Sequence, residues 1–349
     1  MKIWGGIFLS LMINGALPTH ALTTQQPWQK GLVELRPEHK LYVEYRKAEP
    51  GKTTLFLLNG LTWSTRDWKR FVEALDQTQP GIGIVLYDMQ GMGRTLLENP
   101  LVRYNIEIDA QAEDLKQLKK YLNVRGPVAV AGLSYGGAVA MLYASKYPRD
   151  FKKVIAMAPF IERLTEQDKI IERWIGSHRM IYPFDPRTGE ELYDHYLRIL
   201  IYTTYPLAEP VLLENPYKLE ATFRMVQGAK EFNATRIANR LPWGVVHLMG
   251  AIEDEFVKEP RLALFWDSIK TTAASYLRMH NTKHKIPSEN PEMAAAWVHE
   301  VLSENPAIAR GRVFEADPLR AEARSGQIVI PLRKAGFCES LLRKTFGPR

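Results

Sequence analysis

Gly126-Pro127-Val128-Ala129-Val130-Ala131-Gly132-Leu133-Ser134-Tyr135-Gly136-Gly137 is the stretch whose reading decides the fold. Val128–Ala131 is an apolar, β-branched run of strand length, and Gly137-Ala138-Val139-Ala140 opens a run of helix formers. Between them lies G-x-S-x-G, a turn too sharp for ordinary residues. A serine held there sits in a strained backbone conformation, and side chains two residues either side of it would collide with the turn. Small residues after the serine let the helix pack close to the strand. The turn lifts the Ser134 hydroxyl above the sheet, at the positive end of the helix that follows. In this context Ser134 reads as a nucleophile; a plain strand-turn-helix is the bland alternative.

Working outward, the same alternation repeats. Leu32–Leu35 and Leu41–Tyr45 flank the turn-like Arg36-Pro37-Glu38-His39 and read as a hairpin. Leu55–Leu58, Ile82–Tyr87 and Val154–Met157 are continuous apolar runs of buried-strand type. Trp68, Phe71, Val72 and Leu75 recur at helical spacing, as do Leu115, Leu118 and Leu122 within a helix expected over Asp109–Leu122. Strands alternating with helices imply an α/β fold: a mostly parallel sheet covered on both faces.

From Phe160 to Leu241 the alternation stops. One helical face is expected through Ile161, Leu164, Ile170, Ile171, Trp174 and Ile175. Thr188-Gly189-Glu190-Glu191 has capping-box spacing and opens a second helix through Leu200, and Leu219, Phe223 and Val226 mark a third. This is a helical cap inserted after a strand. Its aromatics (Tyr182, Phe184, Tyr193, Tyr196, Tyr202, Tyr205, Tyr217) are expected to form the cap's own core. Strands then resume at Gly244–Met249 and Ala274–Met279, with helices at Arg261–Ile269 and around Met293–Leu302. After residue 306 only Ile328–Leu332 looks strand-like. The organisation expected is therefore a leader over 1–21, a core in two parts, 22–159 and 242–304, the cap over 160–241, and a C-terminal extension over 305–349.

The 349 residues carry a net charge of +7. Residues 306–349 hold nine Lys/Arg against four Asp/Glu, so most of the excess sits in that tail. No basic, aromatic-interleaved stripe suggests nucleic-acid binding. The single cysteine, Cys338, allows no intrachain disulfide and no cysteine metal site. Met1-Lys2, the apolar Ile3–Leu17 and Thr19-His20-Ala21 have the layout of an export signal cleaved after Ala21. The apolar run is shorter than the roughly 20 residues that span a membrane. A secreted or periplasmic enzyme is expected, with an uncleaved N-terminal anchor as the alternative. Membrane contact is expected only through the leader or the basic tail.

A serine hydroxyl needs a base within hydrogen-bond reach, and the base needs an acid to fix its tautomer. On an elbow-bearing sheet these follow in the order acid, then histidine, on loops after later strands. Gly250-Ala251-Ile252-Glu253-Asp254-Glu255 follows one such strand, and His280-Asn281-Thr282-Lys283-His284-Lys285-Ile286-Pro287 follows the next. His284, deeper in its loop, is the candidate base, with His280 open as the alternative. Asp254 is the candidate acid, with Glu253 open. The oxyanion formed on attack needs backbone N–H donors. Tyr135, next after the nucleophile, supplies one, and Leu61 in Asn59-Gly60-Leu61-Thr62 is the candidate for the second.

Taken together these segments resemble the α/β-hydrolase superfamily, in particular its cap-bearing serine esterases and lipases, over roughly Leu41–Ser303. Gly132–Gly137 resembles the nucleophile elbow, Leu58-Asn59-Gly60-Leu61 the oxyanion loop, Asp88-Met89-Gln90-Gly91-Met92-Gly93 a turn that usually reads Asp-x-Arg-Gly-His-Gly, and Lys283-His284 the histidine loop. Asn59, Gln90, Met92 and Lys283 depart from the usual residues, and the acid loop carries one extra residue before Asp254. The resemblance implies an α/β-hydrolase fold and a serine hydrolase that works without metal or cofactor on a small-molecule acyl substrate, a carboxylic ester by default. A serine at the elbow argues against relatives that use a carboxylate nucleophile. A fold-retaining binding protein without turnover is the alternative.

Overall fold

The computed structural model describes residues 26–99, 104–163, 165–204, 217–305, 308, 310–320, 322–324, 327–329 and 333–334. The leader, Leu164, Tyr205 and Cys338 lie outside them. A ten-stranded sheet runs in the order β1-β2-β4-β3-β5-β6-β7-β8-β9-β12. Its first strands, β1 (Gln29–Arg36) and β2 (His39–Arg46), form the expected antiparallel hairpin, with Glu38 at φ 62° in the turn. Next come β3 (Thr54–Leu58), β4 (Gly83–Tyr87), β5 (Val128–Leu133), β6 (Lys153–Met157), β7 (Val246–Ala251) and β8 (Ser275–Met279). From β4 across to β9 (Arg312–Ala316) every pairing is parallel.

The central strands are apolar throughout because both of their faces are covered. Leu55 and Leu57 of β3, with Ile84, Ala129 and Ile155, pack on one side with Phe71 of α1 (Lys69–Thr78) and Trp297 of α10 (Pro291–Leu302). Phe56 and Leu58, with Val85, Val130 and Val154, pack on the other with Leu115 of α3 (Ile108–Tyr121) and Val139 of α4 (Tyr135–Lys146). The two-residue period of a strand sends alternate side chains to the two layers.

The tail differs from expectation. β9 extends the main sheet beside β8, in a segment that reads as extension in the sequence. Only Phe314 and Ala316 of Arg312-Val-Phe-Glu-Ala are buried, and its polar members make the run look like loop. Beyond it, β10 (Glu322–Arg324) and β11 (Gln327–Val329) pair with each other, and β12 (Arg333–Lys334) pairs with β9. A short α2 (Gly93–Glu98) also escapes sequence reading. It starts because the Arg94 N–H donates to Asp88 Oδ2 at 2.8 Å, a cap supplied from outside the helix.

Between β6 and β7 the chain leaves the sheet as the cap: α5 (Thr165–Ile181), α6 (Gly189–Thr204) and α7 (Lys218–Gly228). The Thr188 capping box is formed, with the Thr188 N–H donating to Glu191 at 2.7 Å and the Glu191 N–H to Thr188 Oγ1 at 3.2 Å. Ile161 precedes α5 rather than belonging to it. Its carbonyl accepts the Ala234 N–H at 2.7 Å, and Glu162 bridges Asn233, so the two stems of the cap are joined. Ile171, Leu197, Ile201, Leu219 and Phe223 make the cap's small core, with Tyr193 and Tyr196 against it. Tyr182, Phe184, Tyr202 and Tyr217 are exposed instead, Phe184 by 95%. The α5–α6 turn carries Tyr182 and Phe184 away from the helix interface. Among the described residues no helix is long and apolar enough to cross a membrane. The remaining elements among the described residues are α8 (Glu259–Ile269), α9 (Ile286–Glu289) and 3-10 turns at Thr65–Trp68, Ala234–Arg240 and Pro318–Arg320.

Candidate active site

The loops after β3, β5, β7 and β8 all leave the same edge of the parallel sheet, where ligands of open α/β sheets bind. Ser134 stands between β5 and α4 at φ 51°, ψ −112°, a backbone state an L-residue adopts only under constraint. The constraint is hydrogen bonded: the Ser134 N–H donates to Met157 O at 2.8 Å, and its carbonyl accepts from Phe160 at 2.9 Å and Ala138 at 3.1 Å. The glycines around it are required by space. A Cβ on Gly132 would stand 2.3 Å from Gly136 O, and one on Gly136 2.4 Å from Leu58 O.

Asp254 follows β7 with its side chain wholly buried. Oδ1 accepts the N–H groups of Phe256 and Val257, each at 2.8 Å, and Oδ2 lies 2.7 Å from His284 Nδ1. A carboxylate fixed by two amides cannot rotate away from the imidazole. With Nδ1–H given to Asp254, Nε2 keeps its lone pair for a proton acceptor's role. The Phe256 ring, 5.1 Å from the imidazole centroid, closes one flank. The open alternatives are elsewhere: Glu253 is exposed, and His280 lies 3.3 Å from Glu315 on β9.

Leu61 and Tyr135 line the same cavity as Ser134 and His284. Tyr135 is the first residue of α4, where amides have no partner within the helix. Among the described residues, neither the Leu61 nor the Tyr135 N–H donates to the protein. Asn59 explains its own departure from the histidine usual there. Its amide donates to Tyr87 O at 3.1 Å and accepts from Trp68 Nε1 at 2.8 Å, pinning the loop from below. Asp88 straps the same loop by accepting the Thr65 N–H at 2.7 Å, and burial pushes its carboxyl up to about 6.

The cavity holds about 340 Å³, small-molecule size. The cap supplies apolar walls from Leu197, Leu200, Ile201 and Val226. Among the described residues no group of three or more His, Cys, Asp or Glu side chains is placed to hold a metal ion.

A capped, mostly parallel sheet with a strained serine at this edge defines a serine hydrolase of the α/β-hydrolase fold. The chain belongs to the serine aminopeptidase S33 family, whose model matches residues 49–291. It is similar to the proline iminopeptidase of Saccharolobus solfataricus, 23% identical over 63% of this chain and 68% of that protein. It is also similar to the proline iminopeptidase of Thermoplasma volcanium, 33% identical over 33% of this chain; that match spans only 38% of the relative's length. In fold it resembles MGS-M2, an α/β-hydrolase enzyme from a Medee basin deep-sea metagenome library, with a TM-score of 0.58 at 18% identity over 78% of this chain and 97% of the other.

Proposed function

We propose that the chain hydrolyses carboxylic esters through an acyl-enzyme formed on Ser134. The observation that carries this reading is the His284–Asp254 pair at 2.7 Å, with His284 lining the same cavity as a strained Ser134. Ser134 Oγ attacks the acyl carbon while His284 Nε2 takes its proton. The carbonyl oxygen becomes an oxyanion, held by the N–H groups of Leu61 and Tyr135 and the positive end of α4. The tetrahedral species collapses, the ester C–O bond breaks, and His284 returns the proton to the departing alcohol. Water repeats the cycle on the acyl-enzyme, releasing the acid and restoring Ser134. Asp254 keeps the imidazole oriented and stabilises its charged form without itself taking the proton.

Peptide-bond cleavage at a free N-terminus is the second reading, favoured by the family and by the proline iminopeptidases the chain matches. It requires a carboxylate free to receive an α-ammonium. The one carboxylate among the described lining residues, Asp168, is already paired with Arg163 at 2.6 Å. The test compares 4-nitrophenyl esters of rising chain length with L-proline 4-nitroanilide. Esters are expected to turn over, with loss in Ser134→Ala; faster cleavage of the anilide than of every ester would overturn the reading. Absence of both activities and of fluorophosphonate labelling would leave the non-catalytic binder. Export completes the proposal: protein recovered outside the cytoplasm is expected to begin at Leu22 on N-terminal sequencing.

A further inference from the structure

The cap wall of the cavity carries a charge arrangement that ester hydrolysis does not use. Arg163, Lys230 and Lys285 line the cavity as cations, against Asp168 as the one carboxylate among the described lining residues. Tyr193 organises three of these groups, Asp168, Arg163 and Lys230. Its hydroxyl donates to Asp168 at 2.5 Å, and burial with that bond pushes the phenol up to about 12, so it remains a donor. The Arg163 guanidinium lies 4.9 Å from the Tyr193 ring centroid and pairs with Asp168. The carboxylate is therefore spent: one full counter-charge and one hydroxyl already satisfy it.

Lys230 is what remains. It follows α7 and is half-buried, with its ammonium 5.0 Å from the centroid of the same Tyr193 ring. Among the described residues no carboxylate lies within ion-pair distance of it. An aromatic face gives a cation partial compensation for lost water and leaves its full charge to act on whatever enters the cavity. Lys285, beside His284 on the exposed rim, adds to the same field. Charge of one sign in a walled cleft concentrates ligands of the other.

Resting on the ester-hydrolase reading, we propose that the preferred substrate carries an anionic group, such as a carboxylate, received by Lys230 against Tyr193. The Asp168–Arg163 pair buttresses that site, and a substrate bearing an ammonium group is disfavoured.

Two matched pairs of esters place the charge on either side of the scissile bond. On the acyl side, the mono-4-nitrophenyl ester of adipate is compared with 4-nitrophenyl hexanoate. On the alcohol side, the hexanoyl ester of 3-(4-hydroxyphenyl)propionate is compared with that of its primary amide. In at least one pair the anionic member is expected to have a kcat/KM at least tenfold higher, about 1.4 kcal/mol. The ratio falls toward one in Lys230→Met, inverts in Lys230→Glu and is retained in Lys230→Arg. No preference in either pair, or a preference that Lys230→Met leaves intact, overturns the proposal. Should no ester turn over, the hydrolase reading fails by itself. Calorimetry on Ser134→Ala then reads the anion site directly. Monomethyl adipate is expected to bind at least tenfold tighter than methyl hexanoate, and adding Lys230→Met is expected to abolish the difference; equal binding overturns it.

Discussion

Ser134 illustrates how one residue can be held in a costly conformation by its neighbours. Its φ of 51° and ψ of −112° store strain, and such conformations cost about 1–3 kcal/mol. Glycine relieves that cost but loses about 0.5–1 kcal/mol of backbone entropy. Ser134→Gly is therefore expected to unfold at higher denaturant than Ser134→Ala, which keeps the strain, and neither is expected to hydrolyse esters. Equal midpoints would mean that the turn is not strained in solution. The carboxylate side of the site makes a kinetic prediction. Asp254→Asn reverses the hydrogen bond to Nδ1 and is expected to lower kcat by on the order of 10³–10⁴ with little change in KM. Glu253→Gln, in an exposed side chain, is expected to change neither. Asn59 acts from beneath: Asn59→Ala leaves the Trp68 indole N–H without its acceptor. A loss of about 1–3 kcal/mol in chemical denaturation is expected.

At the scale of elements, the β5–α4 junction is the least forgiving part of the chain. A methyl on Gly132 meets the Gly136 backbone, and one on Gly136 meets the backbone at Leu58 and Asn59, so no side-chain rotation relieves either contact. Gly132→Ala and Gly136→Ala are each expected to give insoluble protein or a melting point lowered by many degrees. Gly189→Ala, where nothing lies within 4 Å, serves as the tolerated control. The same intolerance explains why the elbow was legible in the sequence: sterics leave few residues that fit. The buried strands were legible because cover on both faces makes them apolar without interruption. β9 was not, since Arg312 and Glu315 interrupt it and Glu315 is partnered by Arg278 at 2.6 Å across the β8–β9 boundary. α2 was hidden because its cap, Asp88, lies outside its own sequence. Asp254 and His284, which the structure pairs, were singled out by their order after strands. The choice between neighbours, Asp254 or Glu253 and His284 or His280, depends on which side chain turns inward, and spacing does not encode that. The pairing of Arg163, Asp168, Tyr193 and Lys230 joins separate cap segments and leaves no local pattern.

Across the whole molecule, acid sensitivity has an identifiable source in the sheet. His247 of β7 is buried, with Nδ1 2.8 Å from Ser275 Oγ and Nε2 without a partner. Burial, aided by the Lys153 charge, lowers its pKa from 6.5 to about 3. The unfolded chain therefore binds a proton below about pH 6.5 that the folded one refuses, and stability falls as pH drops from there toward 3 at up to about 1.4 kcal/mol per pH unit. Asp88, raised to about 6, works in the opposite direction, favouring the fold at low pH. The difference between wild type and a His247→Leu, Ser275→Ala double variant isolates the histidine. The variant is expected to lose the acid limb in denaturation followed from pH 7 to pH 4, and parallel curves would refute it.

The two stems of the cap meet where Ile161 O accepts the Ala234 N–H and Glu162 bridges Asn233, immediately after Phe160, whose N–H is bonded to the carbonyl of Ser134. A closed clasp of this kind makes the intervening chain a removable cassette. Evolution can exchange one insert for another, and with it the range of molecules admitted, while the ends stay anchored to the backbone of Ser134. Diversification of substrate is thereby uncoupled from conservation of chemistry, and a laboratory library built between residues 163 and 232 would inherit the same separation.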